Sequence, residues 1–155
     1  MLLTLHNIAE QIRNYTALKC LSPTLENNIF RITEPVSVQI SDGTIFDILP
    51  GWEYDGASVP WIGQPIFPKW GVYAYQSFVH DILYFTLYEK GQKFADMEHY
   101  RFGIATGVSQ AQNKARYKFL RAWGWTAWNR SMHRPSDRAK ANRLLTYING
   151  IQCHQ

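Results

Sequence analysis

Two titratable side chains stand next to each other in an apolar run. The stretch Ser77-Phe78-Val79-His80-Asp81-Ile82-Leu83-Tyr84 sets an imidazole and a carboxylate among Phe, Val, Ile and Leu. A buried polar group costs free energy unless it is hydrogen-bonded, and a buried charge costs more. His80 and Asp81 therefore need partners, and ionisable groups in such surroundings are frequent at functional sites. On a helix, His80 and Tyr84 share a face one turn apart, with Ser77 close by. Asp81 lies about 100° further round.

A second acidic residue, Asp96, follows sixteen positions after His80, with His99 and Tyr100 one turn beyond it on the same side. If the two segments are antiparallel helices joined by the short loop 89–93, Asp96 can face His80. A histidine bonded to a buried carboxylate has a fixed tautomer and raised basicity. A further carboxylate beside it suits a hard cation, which takes carboxylate and carbonyl oxygens. Tyr54-Asp55-Gly56-Ala57-Ser58-Val59-Pro60 is the segment that could supply those oxygens. Gly56 permits a turn that aims backbone groups inward, and Asp55 adds a charge. The competing reading is structural: His80 and Asp81 tie a helix to this loop, and Asp55 and Ser58 cap a turn. A nucleophilic role for Ser58 lacks the strand–turn–helix setting that such a serine needs.

The elements that must position these groups follow from the hydrophobic period. Leu5, Ile8, Ile12 and Tyr15 form a helical stripe over 4–19, with Ser22-Pro23 as its stop. From 28 to 49 the period changes to two. Short strands at 29–32, 36–40 and 44–49 are predicted, and Asp42-Gly43 marks a hairpin turn. Residues 50–70 form a long loop rich in proline, glycine and tryptophan, and a loop of that length in a compact domain is usually functional. Helices are then expected over 73–87, 94–106, 109–130 with Ser109 as N-cap, and 135–148. The class is α+β: a small N-terminal antiparallel β-sheet or hairpin, the aromatic loop, then a mainly helical body of about four helices. One domain is expected over 1–155, with an N-terminal helix in 1–25, the hairpin in 28–49, the functional loop in 50–70 and the helical body in 72–148.

Composition sets outer limits. Hydrophobic residues make up 46% of the 155, and charged residues 18%, a globular balance. Nine of the 16 basic residues lie between Lys114 and Arg143, where Asp137 is the only acid. That third is a basic face suited to an anionic surface or an acidic partner. A nucleic-acid-binding module is not recognisable in it. Trp123, Trp125 and Trp128 cannot share one narrow buried stripe, so one is expected at an exposed interface. Cys20 and Cys153 have neither a disulfide-framework nor a metal-site pattern. The opening Met1-Leu2-Leu3-Thr4 is not signal-like, and no run has the roughly 20 apolar residues of a membrane span.

Asp55-Gly56-Ala57-Ser58-Val59-Pro60, His80-Asp81-Ile82-Leu83-Tyr84, Ala95-Asp96, Gly107-Val108-Ser109 and Trp123-Gly124-Trp125 together resemble a family of phage and prophage proteins known only as a domain of unknown function. The likeness covers roughly residues 30–128. The family's usual arginine before Ala-Asp is replaced here by Gln92 or Lys93, and His99 stands where an aromatic or aliphatic residue is usual. The resemblance implies a phage or prophage origin and a place in the virion or the infected host's cytoplasm. It carries no activity.

A narrower likeness is chemical. His80-Asp81-x-x-Tyr84 with the later Asp96 resembles the active-site helix pair of secreted phospholipases A2. That likeness implies His80 as general base, Asp81 as calcium ligand, Asp96 as the orienter of the histidine and Tyr84 as its support. The glycine-rich calcium loop and the disulfides of that family are missing, so Asp55 and the Gly56, Ala57 and Ser58 stretch would have to serve as ligand and oxyanion loop, with His99 and Tyr100 as accessory residues. Two functions result: a calcium-assisted ester hydrolase acting on envelope lipids, or a non-enzymatic virion, tail-associated or accessory protein that meets other phage proteins and uses the His-Asp pair structurally.

Overall fold

A computed structural model describes residues 2–13, 21–23, 30–54, 73–133 and 145–148. Eleven elements appear among them. They are β1 (Leu2–Leu3), α1 (Ile8–Arg13), β2 (Leu21–Pro23), β3 (Phe30–Ile32), β4 (Val36–Gln39), β5 (Ile45–Ile48), β6 (Glu53–Tyr54), α2 (Tyr73–Phe85), α3 (Gly91–Ala105), α4 (Gln110–His133) and β7 (Leu145–Ile148). The class is α+β, with the body mainly helical.

The hairpin β4–β5 pairs Val36 with Ile48 and Gln39 with Ile45, and its turn is the expected Ser41-Asp42-Gly43. Gly43 has φ +90°, the left-handed region that glycine enters without penalty. Alternation puts Val36, Val38, Phe46 and Ile48 into the core, with Ser37, Gln39, Ile45 and Asp47 only half-buried. Two sheets form rather than one. The first has the order β1-β4-β5-β7, and the second β2-β3-β6.

Three differences from the sequence reading have local causes. Residues 145–148 are not the end of a helix: β7 pairs antiparallel with β5, Leu145 opposite Ile48. Leu145-Thr146-Tyr147-Ile148 is rich in β-formers, and the open edge of β5 offers it a ladder. At the other edge β1 runs parallel to β4, so this sheet is mixed rather than purely antiparallel. Residues 21–23, read as a helix stop, form a strand paired with β3.

Helix α2 is buried all round, from Ala74 to Tyr84. It forms the centre of the molecule. Trp52 meets Phe78 and Phe85 edge-on, with ring centroids 5.5 and 5.9 Å apart, which joins the helix to the sheet side. The helix ends where Leu87 turns left-handed at φ +47°, and the Tyr88 N–H reaches back to the Leu83 carbonyl. Helix α3 ends at Ala105 with Thr106 as C-cap, Gly107 follows in the left-handed region at φ +84°, and Ser109 caps α4 as expected, its Oγ accepting the Gln112 N–H at 3.3 Å.

The hairpin tip locks onto the helices. The buried Glu98 carboxylate accepts the Ser41 N–H at 3.0 Å and the Ser41 hydroxyl at 2.5 Å, and pairs with Arg101. Asp42 accepts Tyr88 OH at 2.8 Å and pairs with Lys90 at 2.8 Å. Burial raises the Asp42 pKa, but Lys90 and the hydrogen bonds from Thr44 and Tyr88 outweigh it and hold the carboxyl below its usual range. Thus α3 presents Glu98 to the sheet while Asp96, two residues earlier, turns the opposite way.

Candidate active site

Helices α2, α3 and α4 converge on the Asp96 carboxylate, which has no exposed surface. On α2, His80 Nε2 lies 3.0 Å from Asp96 Oδ1, and Tyr84 OH donates to the same oxygen at 2.7 Å. From α4, Arg121 donates to Oδ2 at 2.7 Å. Burial raises the Asp96 pKa, but His80, Tyr84 and Arg121 together hold it below the usual carboxylate range. An ionised carboxylate only accepts, so His80 Nε2 carries the proton in this bond and the lone pair of neutral His80 sits on Nδ1.

Nδ1 faces Asp81 Oδ1 at 3.7 Å, beyond hydrogen-bond distance. A lone pair facing a carboxylate oxygen is repulsive, and a proton, a water or a cation between them relieves it. Burial lowers the His80 pKa, yet Asp81 and Asp96 outweigh that and the net shift is upward. The His80 and Tyr84 rings stack with centroids 4.0 Å apart. Burial, then Asp96, pushes the Tyr84 hydroxyl far above its ordinary value, so it acts only as a neutral donor.

The sequence reading brought His80, Tyr84 and Asp96 together, and the structure places them in contact. It missed Arg121, Gly124 and Trp128, which α4 supplies. Trp128 meets Tyr84 edge-on at 5.0 Å. A Cβ at Gly124 would lie 2.6 Å from Tyr84 OH, so glycine is what lets α4 approach the tyrosine. The spacing 121, 124, 128 marks one helix face, and a buried carboxylate with donors at one oxygen needs another at the second. That was the available signal for Arg121.

Asp55, Gly56, Ala57 and Ser58 lie outside the described residues. The Tyr100 ring meets Tyr117 of α4, with centroids 5.9 Å apart, and its carbonyl accepts the Asn113 side chain. His99 stands edge-on to His80 at 5.4 Å. Its Nδ1 is buried without a hydrogen-bond partner. Burial first, then the charges of His80 and Arg116, pull its pKa well below 6.5.

The two histidines make stability depend on pH in opposite senses. The raised pKa of His80 adds stability that is present below 6.5 and lost as pH rises through the folded-state value. The depressed pKa of His99 adds stability that is present above 6.5 and lost as pH falls below it. One such proton changes stability by about 1.4 kcal/mol per pH unit. His99→Gln is therefore expected to flatten the acid-side fall in melting temperature between about pH 6.5 and pH 5, read by thermal melts across that range. An unchanged slope would show that His99 protonates normally in the fold.

No helix among the described residues is long and apolar enough to cross a membrane. No group of three or more His, Cys, Asp or Glu among them is arranged to hold a metal ion. No curated protein and no solved structure matches the chain. Residues 30–133, which contain the hairpin and all three converging helices, match the family model described as "Protein of unknown function (DUF1353)", and the chain belongs to that family.

Proposed function

We propose that this chain is a phage- or prophage-encoded hydrolase of lipid esters in which His80 is the general base. The observation that carries the reading is the division of labour on one ring. Nε2 is committed to an ionised, triply bonded Asp96, while Nδ1 faces Asp81 Oδ1 at 3.7 Å and has no closer polar partner among the described residues. That is the arrangement a histidine base requires, with one nitrogen held and the other available. In the reaction, Nδ1 takes a proton from water as the water oxygen attacks the ester carbonyl carbon. The imidazolium formed is stabilised by Asp96 on one side and Asp81 on the other. It then returns the proton to the leaving alcohol as the C–O bond breaks. Asp81 fits calcium as one oxygen ligand, and the ion when bound supplies positive charge for the developing oxyanion.

The test is hydrolysis of phosphatidylglycerol-containing vesicles, with calcium or with chelator, by the native protein and by His80→Ala. The expected loss in the variant is about 10²–10⁴-fold. Equal, calcium-independent background in every sample would end the hydrolase reading. A second reading draws on the near-complete enclosure of the cluster, with His80 only 7% exposed. In it, the His80–Asp96–Arg121 network is a structural tie in a virion or accessory protein, and the protein is then found stoichiometrically in purified particles by mass spectrometry.

A further inference from the structure

The outer face of α4 carries an unusual combination of side chains. Trp123 is 57% exposed and Trp125 55%, and they are the bulkiest of the exposed apolar side chains among the described residues. Lys114, Lys118, Arg121 and Trp125 follow one another at i, i+4, i+7 and i+11, so they form one stripe, and all four are exposed. Trp123 sits on the opposite flank. The exposed Ala115, Ala122 and Thr126 form the ridge between the flanks. The Thr126 hydroxyl bonds the Trp123 carbonyl at 2.8 Å, so it makes no demand on solvent. Between Gln110 and His133 there is no aspartate or glutamate.

We infer that this face of α4 docks onto an anionic lipid bilayer, with Trp123 and Trp125 entering the headgroup region and Lys114, Lys118 and Arg121 pairing with lipid phosphates. The charge is complementary, since every ionisable side chain offered is cationic. Indole suits this boundary, because its ring is apolar and its N–H finds carbonyl partners there. A protein-binding face is ordinarily depleted of lysine at its centre. Arg121 belongs to the stripe and also bonds Asp96. Docking therefore brings the His80 site to the bilayer interface, where lipid esters lie. The purpose of the docking rests on the hydrolase reading, while the docking itself is measurable without catalysis.

The experiment uses the full chain carrying His80→Ala, so that binding and turnover are separated. It is co-sedimented with phosphatidylcholine vesicles and with vesicles containing phosphatidylglycerol. The expected result is binding to the anionic vesicles alone, weakened when salt rises from about 0.1 M to about 1 M. Trp123→Ala with Trp125→Ala is expected to weaken binding at least about tenfold, and Lys114→Gln with Lys118→Gln about 30-fold. All four positions are exposed, so the variants keep the parent melting temperature. Equal retention on neutral vesicles would overturn the inference, as would no retention at all. So would capture by duplex DNA instead of vesicles, or a self-association that the tryptophan variants abolish. Hydrolysis of a soluble short-chain ester by the native protein tests the catalytic reading separately.

Discussion

Replacing Asp96 by asparagine is expected to lower stability by about 2–4 kcal/mol. In the hydrolase reading it is also expected to cut turnover by about 10²–10⁴-fold. The carboxylate is fully buried and takes three donors, two at Oδ1 and one at Oδ2. Asparagine offers one acceptor oxygen and one NH₂ group. If the oxygen faces His80 and Tyr84, the NH₂ faces the Arg121 guanidinium, donor against donor. If the NH₂ faces His80, Nε2 must accept, the tautomer inverts, and the proton moves to Nδ1, where the base is needed. In both placements the imidazolium loses the Asp96 counter-charge and keeps only Asp81. Arg121→Gln is the control. Its guanidinium is 36% exposed and rehydrates when unpaired, but Oδ2 of the buried carboxylate loses its donor, so the change is expected to cost about 1–3 kcal/mol while leaving the His80 and Tyr84 bonds at Oδ1 in place. Urea unfolding midpoints, with the slope unchanged, measure both variants. An asparagine variant as stable as the parent would mean that the three bonds to Asp96 contribute no net stability.

The elements that surround this site were legible wherever the chain carries local punctuation. Asp42-Gly43 announced the hairpin, and Ser109 announced the start of α4, because left-handed turns and caps demand particular residues; α3 begins at Gly91, three residues before the expected 94. The His80–Asp96 contact was legible for a related reason. Helices joined by a short loop pack as antiparallel neighbours, and the sixteen-residue separation then brings the two side chains level. What stayed hidden was non-local. Leu145 to Ile148 fits a helical stripe as well as a strand over so short a span, and only the vacant edge of β5 decides it. Arg121 read as one more cation on a solvated face, since nothing in its neighbours along the chain reveals a carboxylate 25 positions earlier. Tryptophan followed the same rule. Stripe geometry required one of three to be exposed, and the structure exposes both Trp123 and Trp125 while Trp128 packs on Tyr84.

Gly103→Ala is expected to destabilise the fold by about 2–4 kcal/mol, a fall in melting temperature of about 5–15 °C. Glycine in mid-helix ordinarily costs about 1 kcal/mol relative to alanine, so from propensity alone this change on α3 would stabilise. Packing reverses the sign. A Cβ at this position would lie 2.8 Å from Asn113 Cγ and closer still to Gln76 Oε1 and Asn113 Oδ1. Both side chains are fully buried, so neither end can swing aside into solvent. Asn113 is further held because its Nδ2 donates to the Tyr100 carbonyl at 2.7 Å. Accommodating the methyl breaks that bond or pushes α3 away from α2 and α4, and His80 and Asp96 sit on two of those three helices. The variant is thus expected to lose both stability and the alignment of the dyad. Gly107→Ala separates this effect from backbone strain. No atom crowds that position, and its cost comes from φ +84° alone, about 1–2 kcal/mol. Thermal melts of the two variants distinguish the causes. If Gly103→Ala melts above the parent, the three helices are not as closely packed at this point as the Gln76 and Asn113 contacts require.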